Sequence, residues 1–173
     1  MGKRYDLQGR EAFTGQTPVK ALGVTDQHSQ IQLYTEGPQD KVVTFIGTDA
    51  YRDEVHIPSV YPDLEGTAFL GGHTLNELMH AELLATEFAL YKAGRPSQTV
   101  WLPEISAHTV GQLLYYYEMQ TAFAGEILGI NAFDQPGVEE GKNATYALLG
   151  KPGYEEKKAE LDGRQLLSKR YVL

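Results

Sequence analysis

Hydrophobic positions along the chain follow two kinds of pattern. Residues 41–48, Lys-Val-Val-Thr-Phe-Ile-Gly-Thr, and residues 99–105, Thr-Val-Trp-Leu-Pro-Glu-Ile, are short apolar runs rich in β-branched and aromatic side chains, which predicts two buried strands. Pro103 has no amide proton to give to a ladder, so the second strand is expected to end near it or to lie toward a sheet edge. Between the runs, residues 74–93 carry Leu75, Leu78, Met79, Leu83, Phe88, Leu90 and Tyr91 in a pattern compatible with a helix, and Gly94 before Pro96 marks its stop. Thr74 followed by Glu77 has the form of a capping box at the helix start. The order strand, helix, strand predicts an α/β fold with a parallel sheet layered with helices.

A second long helix is expected over residues 107–130, beginning after Ser106 and holding Val110, Leu113, Leu114, Tyr117, Phe123, Ile127 and Leu128. Its apolar residues wrap much of the circumference, the pattern of a helix buried within a larger assembly. Tyr115, Tyr116 and Tyr117 read as packing residues rather than a base-stacking platform, because no basic stripe accompanies them. A third helix is predicted from near Val138 through Leu149, with a break at Lys151-Pro152-Gly153. The tail 154–173 reads as a short helix followed by a docked or loose end. The first 20 residues scatter Gly2, Gly9, Gly15 and Pro18 among polar side chains without a period, and read as loop or extended connection.

Composition narrows the function classes. The 173 residues suit one globular domain. With 15 Lys+Arg against 23 Asp+Glu, the formal charge of −8 argues against nucleic acid as a partner, since phosphate backbones are held by clustered cations. The absence of cysteine excludes disulfides, a thiolate nucleophile and Cys-ligated metal. No apolar run reaches the roughly 20 residues that cross a bilayer, and the N-terminus carries no signal-like stretch, so a cytoplasmic protein without membrane contact is expected. Asn143-Ala144-Thr145 matches a glycosylation acceptor, a chance match without a secretory signal.

The five histidines, His28, His56, His73, His80 and His108, lack metal-site spacing, because His73 and His80 have no third ligand in view. No dinucleotide turn, phosphate loop or nucleophile elbow occurs. Two segments are unusually dense in polar groups. Residues 23–30, Gly-Val-Thr-Asp-Gln-His-Ser-Gln, surround His28, whose proton exchanges near neutral pH. Residues 131–142, Asn-Ala-Phe-Asp-Gln-Pro-Gly-Val-Glu-Glu-Gly-Lys, form a loop feeding a helix; Glu139 and Glu140 fit the ordinary preference of acids for a helix N-terminus, and Lys142 alone would be an ordinary surface lysine.

The second segment resembles the signature of the glucose-6-phosphate isomerase family, Phe-Asp-Gln-x-Gly-Val-Glu-x-x-Lys, here Phe133 to Lys142. Asp26-Gln27-His28-Ser29-Gln30, Glu36-Gly37-Pro38 and Gly71-Gly72-His73-Thr74-Leu75-Asn76 are similar to the bacterial form of the same family. The resemblance covers essentially the whole chain and corresponds to the C-terminal portion of a longer protein. It implies an incomplete second sugar-isomerase (SIS) domain to about residue 130, then an active-site loop and C-terminal helices.

The resemblance further implies an aldose-ketose isomerase that interconverts glucose 6-phosphate and fructose 6-phosphate without a cofactor, by ring opening and a cis-enediol intermediate. On it, His28 resembles the ring-opening acid-base group, Lys142 the cation at the ring oxygen and Gln135 a substrate-contacting amide. Met1-Gly2-Lys3 resembles the end of the Glu-Ser-x-Gly-Lys stretch that carries the catalytic glutamate. That glutamate, the arginine over the enediolate and the phosphate-binding Ser/Thr loop are thus expected upstream, and the isolated chain is expected to be inactive. The implied partners are a sugar 6-phosphate and a second subunit in a homodimer, with His28 contributed across the subunits. The alternatives are a non-catalytic sugar-phosphate-binding or dimerisation module and an inactive truncated fragment.

Overall fold

Each predicted apolar run and helical stretch appears in the computed structural model, which describes residues 2–163. In chain order the elements are β1 (Gly2–Tyr5), β2 (Glu11–Gly15), α1 (Gln27–Glu36), β3 (Val43–Ala50), α2 (Glu65–Ala68), α3 (Leu75–Lys92), β4 (Ser97–Glu104), α4 (Ala107–Ile127), α5 (Pro136–Leu148) and α6 (Glu155–Asp162). The described chain divides into two compact units. One is Pro18–Glu118; the other combines the segment up to Thr17 with that from Met119 onward.

In the Pro18–Glu118 unit, β3 and β4 pair in parallel from Val43 opposite Ser97 to Ala50 opposite Glu104, with α3 as the crossover packed against both. This is the α/β arrangement that the strand, helix, strand order predicts. The capping box forms: Thr74 Oγ1 accepts from Glu77 N at 3.1 Å and Glu77 Oε2 accepts from Thr74 N at 2.8 Å. Those bonds satisfy helix-end amides that would otherwise lack partners, and they fix where α3 begins. Leu90 on α3 is fully buried. Gly47 lies against Trp101 so closely that a Cβ there would meet the indole at 2.6 Å, so the strand needs glycine to admit the large ring on its neighbour. Pro103 is carried within β4, whose last paired residue is Glu104.

Four elements go beyond the sequence pattern: α1, the short α2 and the two strands β1 and β2. α1 occupies Gln27–Glu36, where polar residues dominate and only Ile31, Leu33 and Tyr34 mark an apolar face, too few to give a helical period. It packs on α3, and Arg95 ties down its C-terminal end by donating from Nε to Thr35 O at 2.8 Å and from Nη2 to Gly37 O at 3.0 Å. The first 20 residues, expected as loop or extended connection, contain the β1–β2 hairpin. Its turn is organised by Asp6, whose Oδ1 accepts from the amides of Gln8 and Arg10, each at 2.9 Å, and whose Oδ2 accepts from Arg10 Nε at 2.7 Å.

The second unit joins this hairpin to the C-terminal elements. Leu7 N donates to Gly129 O at 2.8 Å, so the hairpin is tied to the turn that ends α4. α6 packs on α5, with Lys157 Nζ donating to Glu140 at 2.6 Å and to Glu160 at 2.7 Å. Lys151 sits over the Tyr146 ring at 3.9 Å, closing the turn between them. α5 begins at Pro136, two residues before the expected start near Val138, because proline fits the first helical position where no amide bond is needed. The tail beyond Gly163 lies outside the described residues.

Apolar surface remains open around both units. Ile46 on β3 is 50% exposed and Ile127 on α4 is 84% exposed. Parallel sheets are ordinarily covered on both faces; among the described residues α3 packs on this sheet, while Ile46 stays half exposed. Among the described residues no helix is long and apolar enough to cross a membrane.

Candidate active site

His28 lies in the first turn of α1 and is exposed. Its polar neighbours are engaged among themselves. Asp26 Oδ2 accepts from Leu22 N at 2.7 Å, Ser29 Oγ donates to Asp26 O at 3.1 Å, and Gln30 Oε1 accepts from the Tyr34 hydroxyl. These bonds hold the loop before α1 and its first turns, and His28 is exposed beside them.

Gln135 and Lys142 belong to the other unit, at the start of α5. Gln135 is the residue just before the helix, with φ −135° and ψ 63°, and its side chain makes no capping bond. Its carbonyl accepts from Val138 N at 3.1 Å, so the backbone serves the helix while the amide side chain is left out of that duty. Lys142 follows two helical turns later, roughly 10 Å along the axis at 1.5 Å per residue, on the same side as the helix start. Its Nζ donates to Glu139 Oε1 at 2.6 Å. The hydrogen bond from Lys142 to Glu139, reinforced by the carboxylate charge, raises the Lys142 ammonium above the usual lysine value. The pair lies on the surface of α5, with both side chains more than half exposed.

Glu139 is thus both an acid in the first turn of α5 and the ion-pair partner of Lys142. The loop ahead of α5 is fastened too. Lys3 on β1 donates to both the backbone carbonyl and the carboxylate of Asp134, pulling the Asp134 carboxyl below its ordinary range. Sequence patterning does not reveal this contact, since its partners are 131 residues apart and neither has a periodic signature. His80 Nε2 donates to Thr48 O at 2.6 Å and its ring lies tilted to Tyr51 and edge-on to Trp101, and no metal-holding group of carboxylates and histidines occurs among the described residues.

The arrangement offers an exposed histidine in one unit, and an uncapped amide with an ion-paired ammonium in the other. The family model described as phosphoglucose isomerase matches residues 2–165. The chain belongs to the phosphoglucose isomerase family. Among the relatives of this family member, the glucose-6-phosphate isomerase of Carboxydothermus hydrogenoformans is 63% identical over 161 residues, covering 93% of this chain and 35% of that protein. That of Rubrobacter xylanophilus is 52% identical over 140 residues, covering 81% of this chain and 32% of the relative. In three dimensions the chain is similar to a Thermus thermophilus protein described as hypothetical protein TT0462, with a TM-score of 0.79 and 46% identity, covering 86% of this chain and 35% of that one. This member of the family therefore spans about a third of the length of the curated relatives it matches.

Proposed function

We propose that these residues are part of a glucose-6-phosphate isomerase and supply His28, Gln135 and Lys142 to its active site. The observation that carries this reading is the start of α5, where the family signature brings Gln135, whose side chain makes no capping bond, just ahead of the helix that bears Lys142. On the substrate, His28 delivers a proton to the ring oxygen as the C1 hydroxyl loses one, which opens the ring. Lys142 stabilises negative charge growing on that oxygen, and Gln135 hydrogen-bonds the sugar. A carboxylate base then takes the proton from C2 and returns one to C1 through a cis-enediol, with no net gain or loss of atoms.

No glutamate of this chain is assigned the role of that base. On this reading turnover needs the two thirds of the family protein that the chain does not match, and the chain by itself is inactive. The open apolar faces of β3 and α4 support it, since burial by the remaining polypeptide would stabilise them. The exposed His28 is suited to serve a neighbouring subunit in a homodimer.

The test is a chimaera in which these 173 residues replace the matching third of the Carboxydothermus hydrogenoformans relative, assayed with fructose 6-phosphate. The chimaera should turn over, and His28→Ala or Lys142→Ala should each lower kcat by about 100-fold or more. Near-normal turnover in both variants would remove the assigned roles. Turnover by the 173 residues without the rest would show that a base inside the chain suffices.

A further inference from the structure

The 131–135 segment between α4 and α5 has no regular hydrogen-bonded ladder to fix its path. Its early residues are held from nearby: Ile130 N donates to Gly125 O at 2.9 Å, and Asn131 Oδ1 accepts from Phe133 N at 3.0 Å. The last peptide before Gln135 is held from far away. Lys3 Nζ donates to Asp134 O and to Asp134 Oδ1, and the Lys3 side chain is only 8% exposed. An ammonium withdrawn from water that far requires such partners.

The geometry of this clamp has a specific consequence. The Asp134 carbonyl belongs to the planar peptide whose nitrogen is that of Gln135, so fixing the oxygen fixes the plane from which Gln135 departs. Pro136 then holds Gln135 out of helical conformation, and the Gln135 carbonyl passes the orientation to Val138 and α5. Lys142 rides on the same helix.

We infer that Lys3 is a positioning residue for the isomerase site, setting the direction of the Gln135 side chain and the start of the helix that carries Lys142. This rests on the assignment of Gln135 and Lys142 to that site. Lys3 itself touches neither substrate nor reacting atoms. Its replacement by a neutral side chain leaves the 134–135 peptide free to turn, and a misplacement of about 1 Å at a site can lower turnover on the order of 100-fold.

The decisive measurement is a double-mutant cycle in the chimaera. Lys3→Met should lower kcat/KM by about 10- to 100-fold, while the same change added to Gln135→Ala with Lys142→Ala should cost less than about threefold further. Lys3→Arg should recover part of the loss, because charge is kept while the planar fork matches the two Asp134 oxygens differently. Asp134→Asn, which keeps the backbone carbonyl as acceptor, should give a smaller loss with the same coupling, and it serves if Lys3→Met does not fold. Losses that simply add, or an unchanged Lys3→Met enzyme beside impaired Gln135→Ala and Lys142→Ala enzymes, would overturn the positioning role and leave the site standing. Normal turnover in Gln135→Ala and Lys142→Ala would overturn both.

Discussion

β3 and β4 bring Phe45, Ile46, Val100 and Trp101 together in a parallel ladder packed on α3, whereas β1 and β2 meet in an antiparallel pair laced by charge. In the hairpin, Arg4 donates from Nε and Nη2 to Glu11 Oε1 at 3.0 and 2.6 Å, Arg10 pairs with Asp6 at 2.7 Å, and Lys3 reaches Asp134. Both sheets have two strands, yet they depend on different forces. The parallel pair depends mainly on apolar contact and close approach, which respond little to pH, although the cap of the adjoining α3 contains Glu77, whose carboxyl the Thr74 amide also holds below its ordinary value. The hairpin depends on ion pairs and a carboxylate-organised turn, which respond to salt and pH. The hairpin is also the element that reaches the loop ahead of α5, through Lys3 and Asp134.

The strongest way to break the comparison is at Leu90. Leu90→Ala removes a fully buried side chain and should destabilise the β3–α3–β4 layer by about 2–5 kcal/mol, read as a lower urea midpoint. A midpoint within error of the parent would show that the layer does not depend on that burial. Gly47→Ala comes next: the new methyl would collide with the Trp101 ring, and the expected cost is about 1–3 kcal/mol. Because the chain has one tryptophan, the indole fluorescence reports the displacement directly, and an unchanged spectrum would mean that the strands open to accept the methyl.

The hairpin should answer to pH instead. The amide of Arg10 holds the Asp6 carboxyl below its ordinary value, and Lys3 does the same to Asp134. For a carboxyl whose folded value is depressed, the stabilisation is complete above the ordinary value of 3.8 and is lost as pH falls through the folded value. Acidification below that range should therefore loosen residues 2–15 and 131–135 before it affects β3 and β4, as read by amide hydrogen exchange. In Lys3→Met, Asp134 should titrate higher than in the parent. Equal acid sensitivity of both sheets would dissolve the distinction.

Much of the fold was legible in the sequence because its signals are local. The apolar runs, the Thr74–Glu77 cap and the Gly94 stop each lie within a few residues, and each corresponds to an element or boundary of the β3–α3–β4 unit. The ten residues from Phe133 to Lys142 were legible as a family signature, and the structure adds that they straddle a helix start. α1 and the β1–β2 hairpin were hidden, since Gln27–Glu36 has few apolar positions and the hairpin is held by side-chain charge rather than by an apolar period.

By itself, then, the sequence determined the parallel α/β crossover, the capping of α3 and the family. Tertiary structure decided which charges meet. Lys3 selects Asp134 across 131 residues, and Arg95 selects the carbonyls of Thr35 and Gly37 across 60 and 58. Hydrophobic periodicity records which face of an element is buried, and that is a property of neighbouring positions. An ion pair or a side chain reaching a distant carbonyl exists only once the chain has closed a loop to bring its ends together, and no local pattern specifies that closure.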